Sequence, residues 1–168
     1  MLGLERRPSF PLTGPMEETM KDTLDGDGVH TWNGVQYKTI LTTAETNGAM
    51  SIVDSVSPPE SGPPRHIHHD ADEVFVILTG ACDLWIEGET RRLKAGEAGF
   101  VSRGKEHTFR VTSDEPSRHL VILTPGGFEN FFVEMAKGQF RIPEDMPQVV
   151  ESGERHHLTF TGPPLGAE

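Results

Sequence analysis

The chain has 168 residues, a formal net charge of −11 and a single cysteine, Cys82. Its length fits one domain able to bury its own core, and one cysteine excludes any disulfide within the chain. The acidic balance argues against nucleic acid or an anionic membrane surface as a partner.

Residues 1–19 are broken by prolines and charges and lack the apolar centre of a secretory signal. No stretch approaches the roughly 18 apolar residues of a spanning helix, so the expected location is cytoplasmic. Residues 1–28 read as an irregular N-terminal arm, because Pro8, Pro11, Pro15 and the run Asp25-Gly26-Asp27-Gly28 oppose long regular elements. From 29 to 124 short apolar runs alternate with Gly, Pro, Asn and Asp. Residues 35–43 and 49–56 flank Asn47-Gly48, a strong hairpin signal. Residues 73–78 are β-branched and aromatic, and Leu84-Trp85-Ile86 follows across Gly80. Residues 91–93, 100–101, 108–112 and 120–123 complete the series. Strands this short and this regularly spaced predict an all-β barrel or sandwich. Neither half repeats the other, so one barrel is expected.

Residues 125–168 read as a helix and tail packed on the barrel. Phe128, Phe131, Phe132 and Met135 recur at helical spacing before Gly138, predicting one amphipathic helix with a core-facing aromatic stripe. A short helix at 147–151 and a strand at 157–160 are expected after it. Trp32 and Tyr37 read as packing residues. Trp85 is expected between barrel and helix or at a dimer contact, and Cys82 as a small core or surface residue and not a nucleophile.

His66 and His68 stand one residue apart in an extended segment, so their side chains share a face. Glu73 leads into the apolar run Val74-Phe75-Val76-Ile77-Leu78, where an unpartnered charge is costly to bury. His107 opens a strand after the Gly104 turn. Three imidazoles and a carboxylate form a donor set suited to a divalent transition metal. His69 faces the other way and reads as a rim residue. Asp70 and Asp72 are rivals to Glu73 but read as solvated loop residues. His30, His119, His156 and His157 have no matched partners and read as structural or exposed. The bland reading of the whole group is a hydrogen-bonded histidine cluster without an ion.

These residues carry a resemblance to the cupins. His66, His68, Glu73 and Gly80 match the spacing of that family's first motif, and Gly96, Gly104 and His107 match its second. Glu60 stands where the first motif has its leading glycine, Ser102 replaces a proline and Val111 an asparagine; none of these removes a ligand. The resemblance implies a single cupin-type β-barrel, a double-stranded β-helix, with His66, His68, Glu73 and His107 as metal ligands. Fe, Mn, Ni, Co and Zn all suit such a set. It also implies a homodimer, since cupins commonly pair barrels through edge strands.

Period-2 alternation from Glu73 sends Phe75 and Ile77 inward, and from His107 it sends Phe109 and Val111 inward. An apolar pocket of these four favours an aromatic or otherwise apolar small-molecule substrate. The context from His66 to Glu73 and the helix beginning at Phe128 resemble small quercetinase-type cupins. That implies a metal-dependent dioxygenase using O2, with Glu73 as the catalytic proton acceptor. Two alternatives use the same residues: a metal-dependent isomerase or decarboxylase that needs no O2, and a non-catalytic small-molecule-binding protein.

Overall fold

A computed structural model describes residues 23–167. Most of the expected N-terminal arm, residues 1–22, lies outside the described residues. Strands β1 (Val29–Trp32) and β2 (Val35–Leu41) form a hairpin about Asn33 and Gly34, whose φ values of 48° and 78° suit the tight turn between twisted strands. A longer connection containing Asn47 and Gly48, both at positive φ, leads into β3 (Ser51–Ser57). Then follow β4 (Pro64–His68), β5 (Asp72–Thr79), β6 (Ala81–Ile86), β7 (Glu89–Lys94), β8 (Ala98–Val101), β9 (His107–Val111) and β10 (Ser117–Thr124). The chain ends in α1 (Glu129–Gly138), α2 (Met146–Arg155) and β11 (Leu158–Pro164).

The strands form two antiparallel sheets, ordered β1-β2-β3-β10-β5-β8 and β11-β4-β9-β6-β7. Each strand alternates between an inner and an outer face, and the inner faces meet in one core. Val53, Phe75, Ile77, Val121 and Leu123 come from the first sheet, and Cys82, Leu84 and Leu93 from the second. The fold is a single cupin-type barrel carrying helices at its C-terminal end.

Helix α1 begins one residue after Phe128 and buries Phe131 and Met135, as its apolar spacing predicts. The Phe131 ring meets Trp32 edge-on at 6.1 Å, and Phe132 stacks on Tyr37 at 4.5 Å. Trp32 Nε1 donates to the Phe140 carbonyl at 2.7 Å. The buried Glu129 carboxylate accepts from the backbone N–H groups of Thr43 (2.9 Å) and Gly127 (2.7 Å), tying the helix start to the β2–β3 connection. Neither helix among the described residues is long and apolar enough to cross a membrane.

Three features differ from the sequence reading. The hairpin strand β1 extends the first sheet at its edge. Helix α2 and β11 are longer than expected, and β11 joins the second sheet beside β4, so the tail completes the barrel. Trp85 stands on the outer side of β6 and not beneath the helix, because Cys82 and Leu84 take the inward positions; the Arg65 guanidinium lies 4.8 Å over its ring.

Candidate metal centre

The two sheets bring four titratable side chains to one point. His66 and His68 project from β4, and β9 pairs with β4 so that His66 faces His107 across the ladder. Glu73 projects from β5 on the opposing sheet. All four are buried, and one ligand atom from each lies within 4.8 Å of the other three. Donors on opposite sides of one ion stand about 4 Å apart when bond lengths are about 2.0–2.2 Å, so the cluster has the right size.

Hydrogen bonding presets which atoms face inward. His66 Nδ1 lies 2.7 Å from the Pro64 carbonyl, and His107 Nδ1 lies 3.0 Å from that of Lys105. A carbonyl only accepts, so each Nδ1 carries the proton and each Nε2 is aimed at the cluster. This is the outer-shell pattern that orients metal-binding histidines. The Gly104 N–H donates to the His68 carbonyl at 2.7 Å, fixing the second motif's loop against β4.

His68 provides the fit test. Both of its ring nitrogens are buried without a hydrogen-bond partner, although Nε2 comes within 3.6 Å of Glu73 Oε2. Buried polar groups are rarely left unpaired, and a cation between these donors would complete them. Protonation states agree at three of the four donors; at His107 burial lowers the pKa but Glu73 more strongly raises it. Burial lowers His66 to about 3 and also lowers His68, keeping both imidazoles neutral. Burial alone would raise Glu73, but His68, His107 and His66 override it and hold the carboxyl at about 2. Neutral imidazole and ionised carboxylate are the ligating forms.

The rivals sit elsewhere. His69 is exposed, with Nε2 2.8 Å from Thr159 Oγ1. Asp72 is engaged by Arg103, whose Nη2 lies 2.9 Å from Oδ2, and those hydrogen bonds pull its carboxyl down to about 2. Asp70 lies on the exposed loop, 3.9 Å from His157 Nε2. His156 bonds Glu134 at 3.0 Å beside α2.

The cluster opens into a cavity of about 150 Å³ between the sheets and α1. Phe75 and Phe109 line it, whereas Ile77 and Val111, expected on the same wall, do not. Both are buried in the core instead, two residues further along their strands, where Val111 pairs with Cys82 and Ile77 with His119. The aromatic stripe of α1 does more than pack: Phe128, Phe131 and Phe132 form part of the wall, and Phe128 meets the His68 ring edge-on at 4.3 Å. Tyr37, Ser55, Ser57 and His119 also face the cavity. Their signal was available, since alternation back from Leu123 and Val121 sends His119 inward.

Comparison with known proteins bears on the fold. Residues 54–123 match the family model described as "Cupin domain". An uncharacterized protein of Aquifex aeolicus (strain VF5) is 40% identical over 60 residues, 36% of this chain and 49% of that protein. The quercetin 2,3-dioxygenase of Bacillus subtilis (strain 168) is 28% identical over 108 residues, 64% of this chain and 32% of that enzyme. The chain thus spans about half the length of the first relative and a third of the second. Among solved structures, KdgF from Halomonas sp. superposes with a TM-score of 0.53 at 22% identity, covering 60% of this chain and 91% of that one, a likeness of fold.

Proposed function

We propose that this chain, in which residues 54–123 match the cupin domain, is a metal-dependent dioxygenase acting on a small aromatic or apolar substrate, with His66, His68, Glu73 and His107 holding a divalent transition metal. The observation that carries this reading is the position of the cluster: four buried donors, two with preset tautomers and one with both nitrogens unpaired, at the end of a largely apolar cavity. The stretch of similarity to a quercetin 2,3-dioxygenase supports the reaction class.

When bound, such an ion supplies Lewis acidity and, if redox-active, electron exchange with O2. The chain's own residues contribute orientation and proton chemistry. Nδ1–H donation to the Pro64 and Lys105 carbonyls fixes the rings of His66 and His107. Glu73 is ionised and buried, so its carboxylate is placed to take the proton from a substrate hydroxyl entering the cavity. Phe75, Phe109 and Phe128 surround the approach and exclude water, favouring a planar aromatic ligand.

The test is oxygen consumption by protein loaded with Fe(II), Mn(II), Ni(II) or Co(II) and given flavonols and small diketones. Uptake that requires both metal and substrate is expected. Turnover that continues unchanged without O2 would replace this reading with an isomerase or decarboxylase. Ligand binding without product would leave a binding protein.

A further inference from the structure

Two of the three clustered imidazoles are aimed by hydrogen bonds, and the third is not. Nδ1 of His66 and Nδ1 of His107 each reach a backbone carbonyl, at 2.7 Å and 3.0 Å. Neither ring nitrogen of His68 has a hydrogen-bond partner among the described residues. Its backbone is fixed, because the Gly104 N–H donates to its carbonyl and its Cα pairs with Leu158 of β11. Its ring has no such polar restraint, and a change of side-chain rotamer would carry both nitrogens away from the cluster.

An aromatic contact takes over that task. The Phe128 ring stands perpendicular to the His68 ring, with centroids 4.3 Å apart, an arrangement that aromatic pairs favour. Phe128 is in turn backed by Phe131, stacked at 5.0 Å, and by Phe132, edge-on at 5.3 Å. It precedes α1 directly and offers no capping side chain of its own. The residues on either side of it are tied down instead. The buried Glu129 carboxylate accepts from the Thr43 and Gly127 N–H groups. The Gly126 N–H donates to the Gly48 carbonyl at 3.1 Å, and a Cβ on Gly126 would meet the Met50 carbonyl carbon at 2.7 Å. Held against the β2–β3 connection at both sides, Phe128 has little room to withdraw from His68.

We propose that Phe128 is a positioning residue for His68, taking the place of the hydrogen bond that aims the other two imidazoles, and that Glu129 holds Phe128 there. This rests on the reading of the four-donor cluster as a metal site. Helix α1 then does two things at once: it walls the cavity, and its first turn sets the orientation of one metal-binding ring.

The experiment is competition between the protein and a coloured chelator for Co(II), with the visible absorption of the bound Co(II) recorded alongside. Phe128→Leu should weaken Co(II) binding about tenfold and alter the absorption bands, as loss of an outer-shell partner does. Phe128→Ala should weaken it at least as much, and Phe128→Tyr, which keeps a ring against His68, should restore most of the affinity and the wild-type spectrum. Glu129→Ala should act in the same direction as Phe128→Leu. A general loosening of the fold is indifferent to which histidines are present, so Phe128→Leu is repeated in the His68→Ala background. There it should change the remaining affinity by no more than about twofold. Phe128→Leu serves as the reading if Phe128→Ala does not fold. Wild-type affinity and spectrum in the Phe128 variants would overturn the proposal, as would an equal loss in the His68→Ala background; in both cases the metal-site reading still stands. A wild type that takes up no Co(II), or a His68→Ala variant that binds it as tightly as wild type, would overturn both.

Discussion

Nε2 of His107 lies 2.7 Å from Oε2 of Glu73, joining strands of two opposing sheets across 34 positions of sequence. The contact ties the two sheets together at the candidate metal site.

The first prediction concerns the proton of this hydrogen bond. Burial works against charge on His107, but the hydrogen bond and charge of Glu73 outweigh it and raise its pKa. Metal binding must displace this proton, since a ligating imidazole is neutral. Calorimetric titration of the metal-free protein with Mn(II) near neutral pH, in buffers of different ionisation enthalpy, should report release of about one proton per site. A heat independent of buffer would contradict the pairing.

Acid stability follows from the opposite sign. The folded pKa values of His66 and His119 are about 3 and 4, against ordinary values of 6.5. Unfolding lets these groups take up protons, so their contribution is complete above 6.5 and is lost as pH falls toward 3–4. Glu73 adds a loss below its ordinary 4.5. His107 runs the other way, stabilising below 6.5 and ceasing to do so as pH rises through its raised value. The metal-free protein should lose a net amount on the order of 2 kcal/mol between pH 7 and 5. Urea unfolding curves that stay level or move to higher midpoints at pH 5 would refute this.

Ligand substitutions should separate the faces of β4. His66→Ala and His68→Ala are expected to weaken metal binding by about 100-fold or more, exceeding the effect of losing an outer-shell partner. His69→Ala should change it little, because that ring is exposed beside Thr159. Competition titration against a coloured chelator distinguishes the three variants, and a large loss in His69→Ala would assign the site to the wrong face.

The barrel core should resist even a methyl group at Gly99. A Cβ there would meet Leu84 Cδ2 at 2.5 Å and Leu93 Cδ1 at 2.9 Å, and Leu93 is fully buried. Gly99→Ala is expected to cost about 1–3 kcal/mol through overpacking. A thermal midpoint equal to wild type would show that the two leucines repack freely.

Much of this site was legible because alternation along strands is a local rule. The spacing of His66, His68 and Glu73 fixed their faces before any tertiary contact was known, and helical spacing marked α1. What escaped depended on pairing across the barrel. The Asn33-Gly34 turn carried the same hairpin signal as Asn47-Gly48, but Val29–Trp32 is too short to stand out until β2 lies beside it. The length of β11 is set by β4, which its own Gly162 and Pro164 obscure. Ile77 and Val111 point inward as expected, yet alternation cannot tell cavity wall from packed core. His119 looked solitary in sequence because its neighbours Tyr37 and Ser55 come from other strands.

The most direct measurement is anomalous diffraction from crystals of the protein loaded with Co(II). One peak should lie about 2.0–2.2 Å from an imidazole nitrogen of each of His66, His68 and His107 and from a Glu73 oxygen. A fully loaded protein with no peak among these four side chains, or with its only peak beside the exposed His157 and Asp70, would contradict the account.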